Sequence, residues 1–363
     1  MIIRQQISKK VAMVHVRLLQ TDDYFYTQQK KRRVLYPSYR GRGSIKSCIR
    51  ILIVLFIIIS CYYYYQYNTL MKAAPAERNA KTVLHGESAA ICAIQKSGLW
   101  YIDEWVDYHI ALGFQTIFIY DNSDDFEVQE WYSKKFSGGT DLVQIVHWPG
   151  SNQQMPVYND CMKFIQKHQT LSWIAFIDLD EFIVIKDMNK YHHIMDLLDT
   201  VPQGAGGLTA NWQMFLWNNQ TRYEPKPLSL RFDHYQTNKH VKTIARADRI
   251  KFIDNPHFMK YKKRYKAVDT NGDVVVGPFN EKMPTDVLAV NHYHFKSLEE
   301  YVLRCKRGRV SFPDNDNADT YFECKPKNEI VAEWNKNKAP SYFDDRVWKL
   351  LKERVPIYKD KYE

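Results

Sequence analysis

Hydrophobic and polar positions alternate along this chain in three distinct ways. Residues 51–67 carry no charge, opening with the apolar run Ile51-Leu-Ile-Val-Leu-Phe-Ile-Ile-Ile and closing with Tyr62 to Tyr65. A bilayer span takes about 20 apolar residues. The tyrosines, suited to a membrane–water interface, bring this segment into range and predict a single transmembrane helix. Its shortness suits the thinner membranes of the early secretory route. Signal peptides rarely begin so far into a chain, and no small-residue cleavage site follows. The segment is therefore expected to stay as an anchor.

From about residue 82 the pattern switches between strand-like and helix-like stretches. Residues 88–95 (Ser-Ala-Ala-Ile-Cys-Ala-Ile-Gln) read as a strand buried on both faces. Residues 100–112 place Tyr101, Trp105 and Tyr108 on one helical stripe, and Gly113 stops the helix. Strands follow at 116–120, ending at Asp121, and at 142–147. A helix is expected over 158–169, then strands over 173–177, ending at Asp178, and over 182–185. Such alternation argues for βαβ units in a mainly parallel sheet flanked by helices, with ligands beyond the carboxyl ends of the strands. Residues 205–310 are richer in aromatics and less regular. Ser297-Leu298-Glu299-Glu300 forms a capping box that opens a helix ending at Gly308, and helices are expected near 327–337 and 344–354.

Charge refines this division. The 51 Lys and Arg exceed the 41 Asp and Glu by ten, which invites a nucleic-acid reading. Eight of the cations, from Lys30 to Arg50, crowd the stretch before the apolar run, so no nucleic-acid surface is expected. By the positive-inside rule this basic stretch is cytoplasmic and the large C-terminal part lumenal, a type II topology. The organisation expected is a basic tail over 1–50, a signal-anchor over 51–67, a stem over 68–81 and a lumenal domain over 82–363. In an oxidising lumen Cys305 and Cys324 are the better disulfide pair, whereas Cys92 and Cys161, in apolar contexts, read as core residues. Asn219-Gln220-Thr221 is a glycosylation sequon.

Chemistry concentrates at two strand ends. Asp178-Leu179-Asp180-Glu181-Phe182 joins two apolar runs, and alternation along the strand puts Asp178 and Asp180 on one side. Two carboxylates aimed at one point repel unless a cation sits between them. Mn²⁺ or Mg²⁺ would take both, together with diphosphate oxygens and water, and would act as a Lewis acid on a departing diphosphate. Burying such an acidic cluster without a role is costly. Asp121, at the other strand end, suits a nucleoside's hydroxyls or base. Lys96, Lys242 and Arg246 are candidate cations for such a diphosphate, as are Arg304 and Arg307 unless they line a solvated helix face. His292 and His294 face one way if they lie in a strand, either as core groups or beside the metal. Trp212, Trp217 and Tyr223 stack on sugar rings or fill core.

Together these residues form a pattern that resembles glycosyltransferase family 92 and the related family-2-like transferases. The matching stretches are Glu104-Trp105-Val106-Asp107-Tyr108-His109 with Gly113, Ile119-Tyr120-Asp121-Asn122-Ser123, residues 173–182, and Asn291 to Ser297 with Arg307 and Gly308. The resemblance implies a GT-A fold, contact between Asp121 and the nucleoside, metal and diphosphate at Asp178 and Asp180, and a third metal ligand at His294. Where the family pattern has Phe-Gly-Ser-Ser-Gly-His after Asn-Trp, this chain has Phe215-Leu-Trp-Asn-Asn219. The function implied is a membrane-anchored, metal-dependent transfer of a hexose from a nucleotide sugar, with UDP the expected donor class, to a glycan or glycoconjugate in the Golgi lumen. The family favours inversion, which needs a carboxylate to deprotonate the acceptor hydroxyl; Glu181, Glu224 and Asp233 are the candidates. The alternative is a catalytically inactive protein of the same fold that binds glycans or acts as a scaffold.

Overall fold

The fold was analysed in a computed structural model that describes residues 88–96, 99–168, 171–307, 325–336 and 339–363. The expected tail, anchor and stem lie outside the described residues. Among those described, no helix is long and apolar enough to cross a membrane.

The first half follows the predicted alternation: β1 (Ala89–Gln95), α1 (Ile102–Ala111), β2 (Thr116–Asp121), α2 (Glu127–Lys135), β3 (Val143–His147), α3 (Gln154–His168), β4 (Trp173–Phe176) and β5 (Glu181–Ile185). One of these helices, α2, is not among the expected elements. Gly113 takes a backbone conformation (φ 103°) that closes α1 as expected. α3 begins four residues earlier than the periodicity suggests. Pro156 falls within its first turn, where a missing N–H leaves no intrahelical bond unmade. After α4 (Ile194–Leu198) come β6 (Gly207–Phe215), α5 (Leu228–Arg231) and β7 (His234–Arg246). β8 (Ile250–Phe252) and β9 (Lys260–Tyr261) form a separate ribbon. β10 (Ala267–Val268), β11 (Val274–Val275), β12 (Leu288–His292), α6 (Leu298–Arg307), α7 (Lys327–Lys336), β13 (Tyr342–Phe343), α8 (Arg346–Arg354) and α9 (Pro356–Tyr362) complete the described chain.

One sheet of eleven strands runs through the domain, with the order β11-β10-β6-β7-β4-β1-β2-β3 along its main path. The expectation of a mainly parallel sheet holds only for β3-β2-β1-β4. Beyond β4 the sheet is mixed: β7 runs antiparallel to both β4 and β6, and β12 is parallel to β6 but antiparallel to β5. The stretch expected to be less regular in fact holds the two longest strands. The first half of β7 is His-Tyr-Gln-Thr-Asn-Lys-His, polar and half-exposed, so its extended form comes from pairing with β6 rather than from an apolar pattern.

In the parallel block β1, β2 and β4 are buried on both faces and β3 is half-buried, and the two-residue period sorts the side chains between two cores. Ala89, Ile91, Ala93, Ile117, Ile119, Trp173 and Ala175 face the core shared with α1 and α8. Ala90, Cys92, Ile94, Phe118, Tyr120, Ile174 and Phe176 face α3. Cys92 thereby meets Cys161 of α3, and the two form a disulfide instead of standing as separate core residues. Cys305 is also disulfide-bonded, while Cys324 lies outside the described residues.

Candidate active site

The carboxyl ends of the parallel strands form the floor of the site. Gln95, Asp121 and His147 lie side by side across the ends of β1, β2 and β3. Asp121 is wholly buried. Its Oδ1 accepts from the Ser123 amide (3.0 Å) and hydroxyl (2.5 Å). Its Oδ2 has no hydrogen-bond partner among the described residues, and His147 Nδ1, 3.9 Å away, also lacks one. Phe126 lies over the His147 ring at 3.9 Å. A buried acceptor left open at a strand end is an unmet cost unless a ligand hydroxyl or amide fills it. Lys96 follows directly on β1 and is half-buried.

At the end of β4 the chain turns tightly through residues 178–181, with the Glu181 amide donating to the Asp178 carbonyl at 3.0 Å. The Glu181 side chain folds back, and its Oε2 accepts from the Asp178 amide at 2.9 Å. Lys242, buried on β7, reaches Glu181 at 3.0 Å and Asp178 at 3.4 Å. Burial opposes the Lys242 charge, but Asp178 and Glu181 outweigh it and raise its pKa above the ordinary value. Burial pushes the Glu181 carboxyl up to about 6, against the pull of Lys242. Gln154 and Tyr158 of α3 donate to Asp178 Oδ1 at 3.0 and 3.3 Å.

Asp180 has a separate set of partners. Lys296 donates to its Oδ2 at 2.7 Å, Arg304 stands 3.9 Å away, and His292 Nε2 lies 3.5 Å from Oδ1. Burial alone would raise the Asp180 carboxyl, yet Lys296, His292 and Arg304 hold it well below the usual range. His294 Nδ1 accepts from Arg304 at 2.9 Å. Burial, with Arg304 and His292 nearby, pushes that imidazole well below its ordinary value, so it is neutral. The two aspartates thus sit on one turn, each facing a protein cation of its own.

Oxygen donors of the kind a hard divalent cation prefers are present in Asp178 and Asp180, and the neutral His294 adds a ring nitrogen of the right chemistry. Among the described residues, however, no three His, Cys, Asp or Glu side chains close around one point. Lys296 sits on the Asp180 oxygen that a cation would use. The donor types therefore suit such an ion, which would need the Lys296 ammonium to yield its place and the three side chains to converge.

The other predicted residues lie apart from this cluster. Antiparallel pairing sets Arg246 opposite Trp173, at the far end of β4 from Asp178, with its guanidinium 4.2 Å over the Trp173 ring. Glu224 is exposed and ion-paired to Lys226 at 3.0 Å. Asp233 is bonded to Asn218 and His234, both at 2.8 Å. Neither acid bonds to the 178–181 turn. Glu181 does belong to it, but with no exposed surface it anchors the turn and does not reach toward an acceptor.

Sequence reasoning missed how the turn is held. Among the described residues β5 pairs with one strand, β12, along one edge. Along that edge the Asp180 carbonyl accepts from the Tyr293 amide, and the Lys186 amide donates to the Val287 carbonyl. The opposite edge is completed by side chains of α1. Trp105 Nε1 donates to the Glu181 carbonyl (2.8 Å), Tyr108 Oη to the Ile183 carbonyl (2.9 Å), and His109 Nε2 accepts from the Ile183 amide (3.3 Å). His109 Nδ1 donates in turn to the Trp105 carbonyl at 2.8 Å, which fixes the tautomer. Burial lowers its pKa to about 3. Spacings of three and four put these side chains on one helical face, where they stand in for a missing strand. Glu104 caps α5 by accepting from the amides of Leu228 (2.6 Å) and Ser229 (3.0 Å).

Residues 90–351, which hold both strand ends and the turn, match the model of glycosyltransferase family 92. The chain belongs to glycosyltransferase family 92. A rice (Oryza sativa subsp. japonica) family 92 protein is 21% identical over 217 residues, 59% of this chain and 34% of that protein. An Arabidopsis thaliana family 92 protein is 29% identical over 92 residues, 25% of this chain and 16% of its own. The chain thus spans about a third or less of the curated relatives it matches. Solved structures align weakly: TarS of S. aureus at TM-score 0.33 and 11% identity (68% of this chain, 70% of that one), and HddC of Yersinia pseudotuberculosis at 0.29 and 11% (50% and 89%). Similarity at that level adds nothing to the reading of the site. Within the family 92 match, Glu104 to His109 is the strand-completing face of α1, and Asn291 to Ser297 supplies two of the partners of Asp180, His292 and Lys296.

Proposed function

We propose that this family 92 chain transfers a hexose from a nucleotide sugar, of the UDP class, to a glycan or glycoconjugate on a GT-A scaffold. The observation that carries this reading is the pairing of two features at one end of the sheet. The first is Asp121 with its open buried oxygen; the second is the acidic turn 178–181 with Lys296 and Arg304 beside it. The nucleoside binds at Asp121. The diphosphate spans toward the turn, where Lys296 and Arg304 offer charge-assisted hydrogen bonds. Bound Mn²⁺ or Mg²⁺ on Asp178 and Asp180, with His294, supplies further positive charge against the leaving diphosphate. Lys242, Gln154 and Tyr158 keep Asp178 in place, and Glu181 fixes the turn. Deprotonation of the acceptor hydroxyl in an inverting reaction falls to Asp233 or Glu224, which are open to solvent. The buried Cys92–Cys161 disulfide supports folding in an oxidising compartment, in keeping with an anchor at 51–67 and a lumenal Golgi domain.

The deciding experiment incubates the purified full-length protein with a panel of nucleotide sugars, with and without Mn²⁺, beside an Asp180→Ala control. Metal-dependent release of a nucleoside diphosphate from one donor, absent in the control, is the expected result. No turnover and no nucleotide binding would discard the enzyme reading in favour of a glycan-binding or scaffolding role.

A further inference from the structure

Beside the acidic turn, three imidazoles surround the indole of Trp212 on β6: His240 from β7, His292 from β12, and His257 from the loop between β8 and β9. The ring of Trp212 stacks on His240 at 4.9 Å and meets His257 and His292 edge-on at 4.9 and 4.4 Å. His240 and His257 lie 5.2 Å apart, and Phe279 closes the far side of His240 at 4.6 Å. His292 ties this wall to the turn through Asp180, and Lys242, two residues along β7 from His240, ties it through Asp178.

The wall's hydrogen-bonding capacity can be read from its fixed partners. His257 Nδ1 lies 3.0 Å from the Val241 carbonyl, and His240 Nδ1 lies 2.8 Å from Asn238 Oδ1. Both oxygens only accept, so each Nδ1 carries the proton and each Nε2 presents a lone pair. Neither Nε2 hydrogen-bonds to another described residue, and the buried Trp212 Nε1 and His292 Nδ1 lack a hydrogen-bond partner among them, Glu181 Oε1 standing 3.9 Å from the latter. Burial lowers the pKa of both His240 and His257, the latter to about 3, which keeps them in this neutral form. A phosphate at neutral pH has little proton to give an imidazole lone pair. A sugar hydroxyl both gives and accepts, and its ring's C–H face packs on aromatic surfaces.

We propose that Trp212, His240, His257 and His292 form the pocket for the hexose of the donor, selecting it by its hydroxyls while Lys296 and Arg304 take the diphosphate. This rests on the nucleotide-sugar reading above. The test is calorimetric titration of the purified full-length protein, in Mn²⁺ buffer, with UDP, UDP-glucose, UDP-galactose, UDP-N-acetylglucosamine, GDP and GDP-mannose. His257→Phe keeps a ring and removes Nε2. His240→Phe does the same at a half-exposed position, which keeps the test open should the first variant fail to fold. Trp212→Phe removes the indole N–H. Each variant should weaken the preferred nucleotide sugar about tenfold, the scale of one lost hydrogen bond, while the bare nucleoside diphosphate stays within about twofold. Equal weakening of both ligands, or of neither, would overturn the pocket assignment alone. A wild-type protein that binds no nucleotide at all would overturn the donor reading and this proposal with it.

Discussion

If α1 replaces a strand along β5, removing one of its side-chain hydrogen bonds should act like deleting a ladder bond from a sheet interior. Tyr108→Phe is the cleanest perturbation, because it removes only a hydroxyl that donates to the Ile183 carbonyl at 2.9 Å in a site with about 1% exposure. Water cannot replace the donor there. The expected loss is about 1–3 kcal/mol, the cost of leaving a buried acceptor unmade. In a domain of this size that amounts to a melting shift of roughly 2–8 °C. Trp105→Phe removes the matching bond to the Glu181 carbonyl and leaves a cavity as well, so it should cost about 1–3 kcal/mol more. The two variants should differ in function. Tyr108 acts two residues into the strand, whereas Trp105 holds the residue that anchors Asp178. Thermal melts and urea titrations measure the first effect, and steady-state nucleotide release measures the second. Tyr108→Phe as stable as wild type would refute the strand-replacement argument. Trp105→Phe with unchanged kcat would refute its link to the acidic turn.

Lys296→Met should weaken nucleoside diphosphate binding and also change acid stability. Asp180 is held well below the usual carboxylate range, so its stabilising contribution is present above the unfolded value of about 3.9 and is lost as pH falls through the depressed native value. Without Lys296 that loss should begin at higher pH in an acid-denaturation curve. His109 works in a different window: its native pKa of about 3 lies below the unfolded value of about 6.5, so the unfolded chain binds the extra proton between them. Stability should therefore fall by up to about 1.4 kcal/mol per pH unit from pH 6.5 toward 3, and His109→Phe should flatten that slope in urea titrations across pH. Replacing both Cys92 and Cys161 by Ala opens a loop of 69 residues and should cost about 2–5 kcal/mol. Because Cys161 sits one turn beyond Tyr158 on α3, the same variant should raise the donor KM by loosening the contacts to Asp178.

Much of the first half of the fold was legible because its physics is local. Strands buried on both faces write continuous apolar runs, and the helices between them carry stripes, so β1 to β5 fell within a residue or two of expectation. The mixed sheet beyond β4 was not legible. Half of β7 is polar, and its direction is set by pairing with β6, which no local pattern records. The site divides in the same way. Asp121 and Asp178 could be found because a strand end followed by acids is a short-range signal. Lys296 could not: it comes to Asp180 from 116 positions away, on a left-handed backbone (φ 56°), a conformation unusual for lysine. Arg246 was misplaced for the opposite reason. Its distance from Lys242 along the sequence is small, but an antiparallel strand carries those four residues to the other end of β4.

The family segments lead to one further step. Glu104, Trp105, Tyr108 and His109 look like chemistry in a sequence, since they combine an acid, a histidine and two polar aromatics at helical spacing. In the fold their polar atoms serve backbone: Glu104 caps α5, taking the Ser229 hydroxyl as well as two amides, and the other three complete β5, with His109 Nδ1 bonded back to α1. An apolar helix face could pack against β5 equally well but would leave the Glu181 carbonyl and both polar groups of Ile183 unpaired. Those groups sit at the root of the turn that presents Asp178 and Asp180. The segment therefore serves the acidic turn from behind, by fixing the strand that leaves it, and its residues need touch no ligand to hold Asp178 and Asp180 in place.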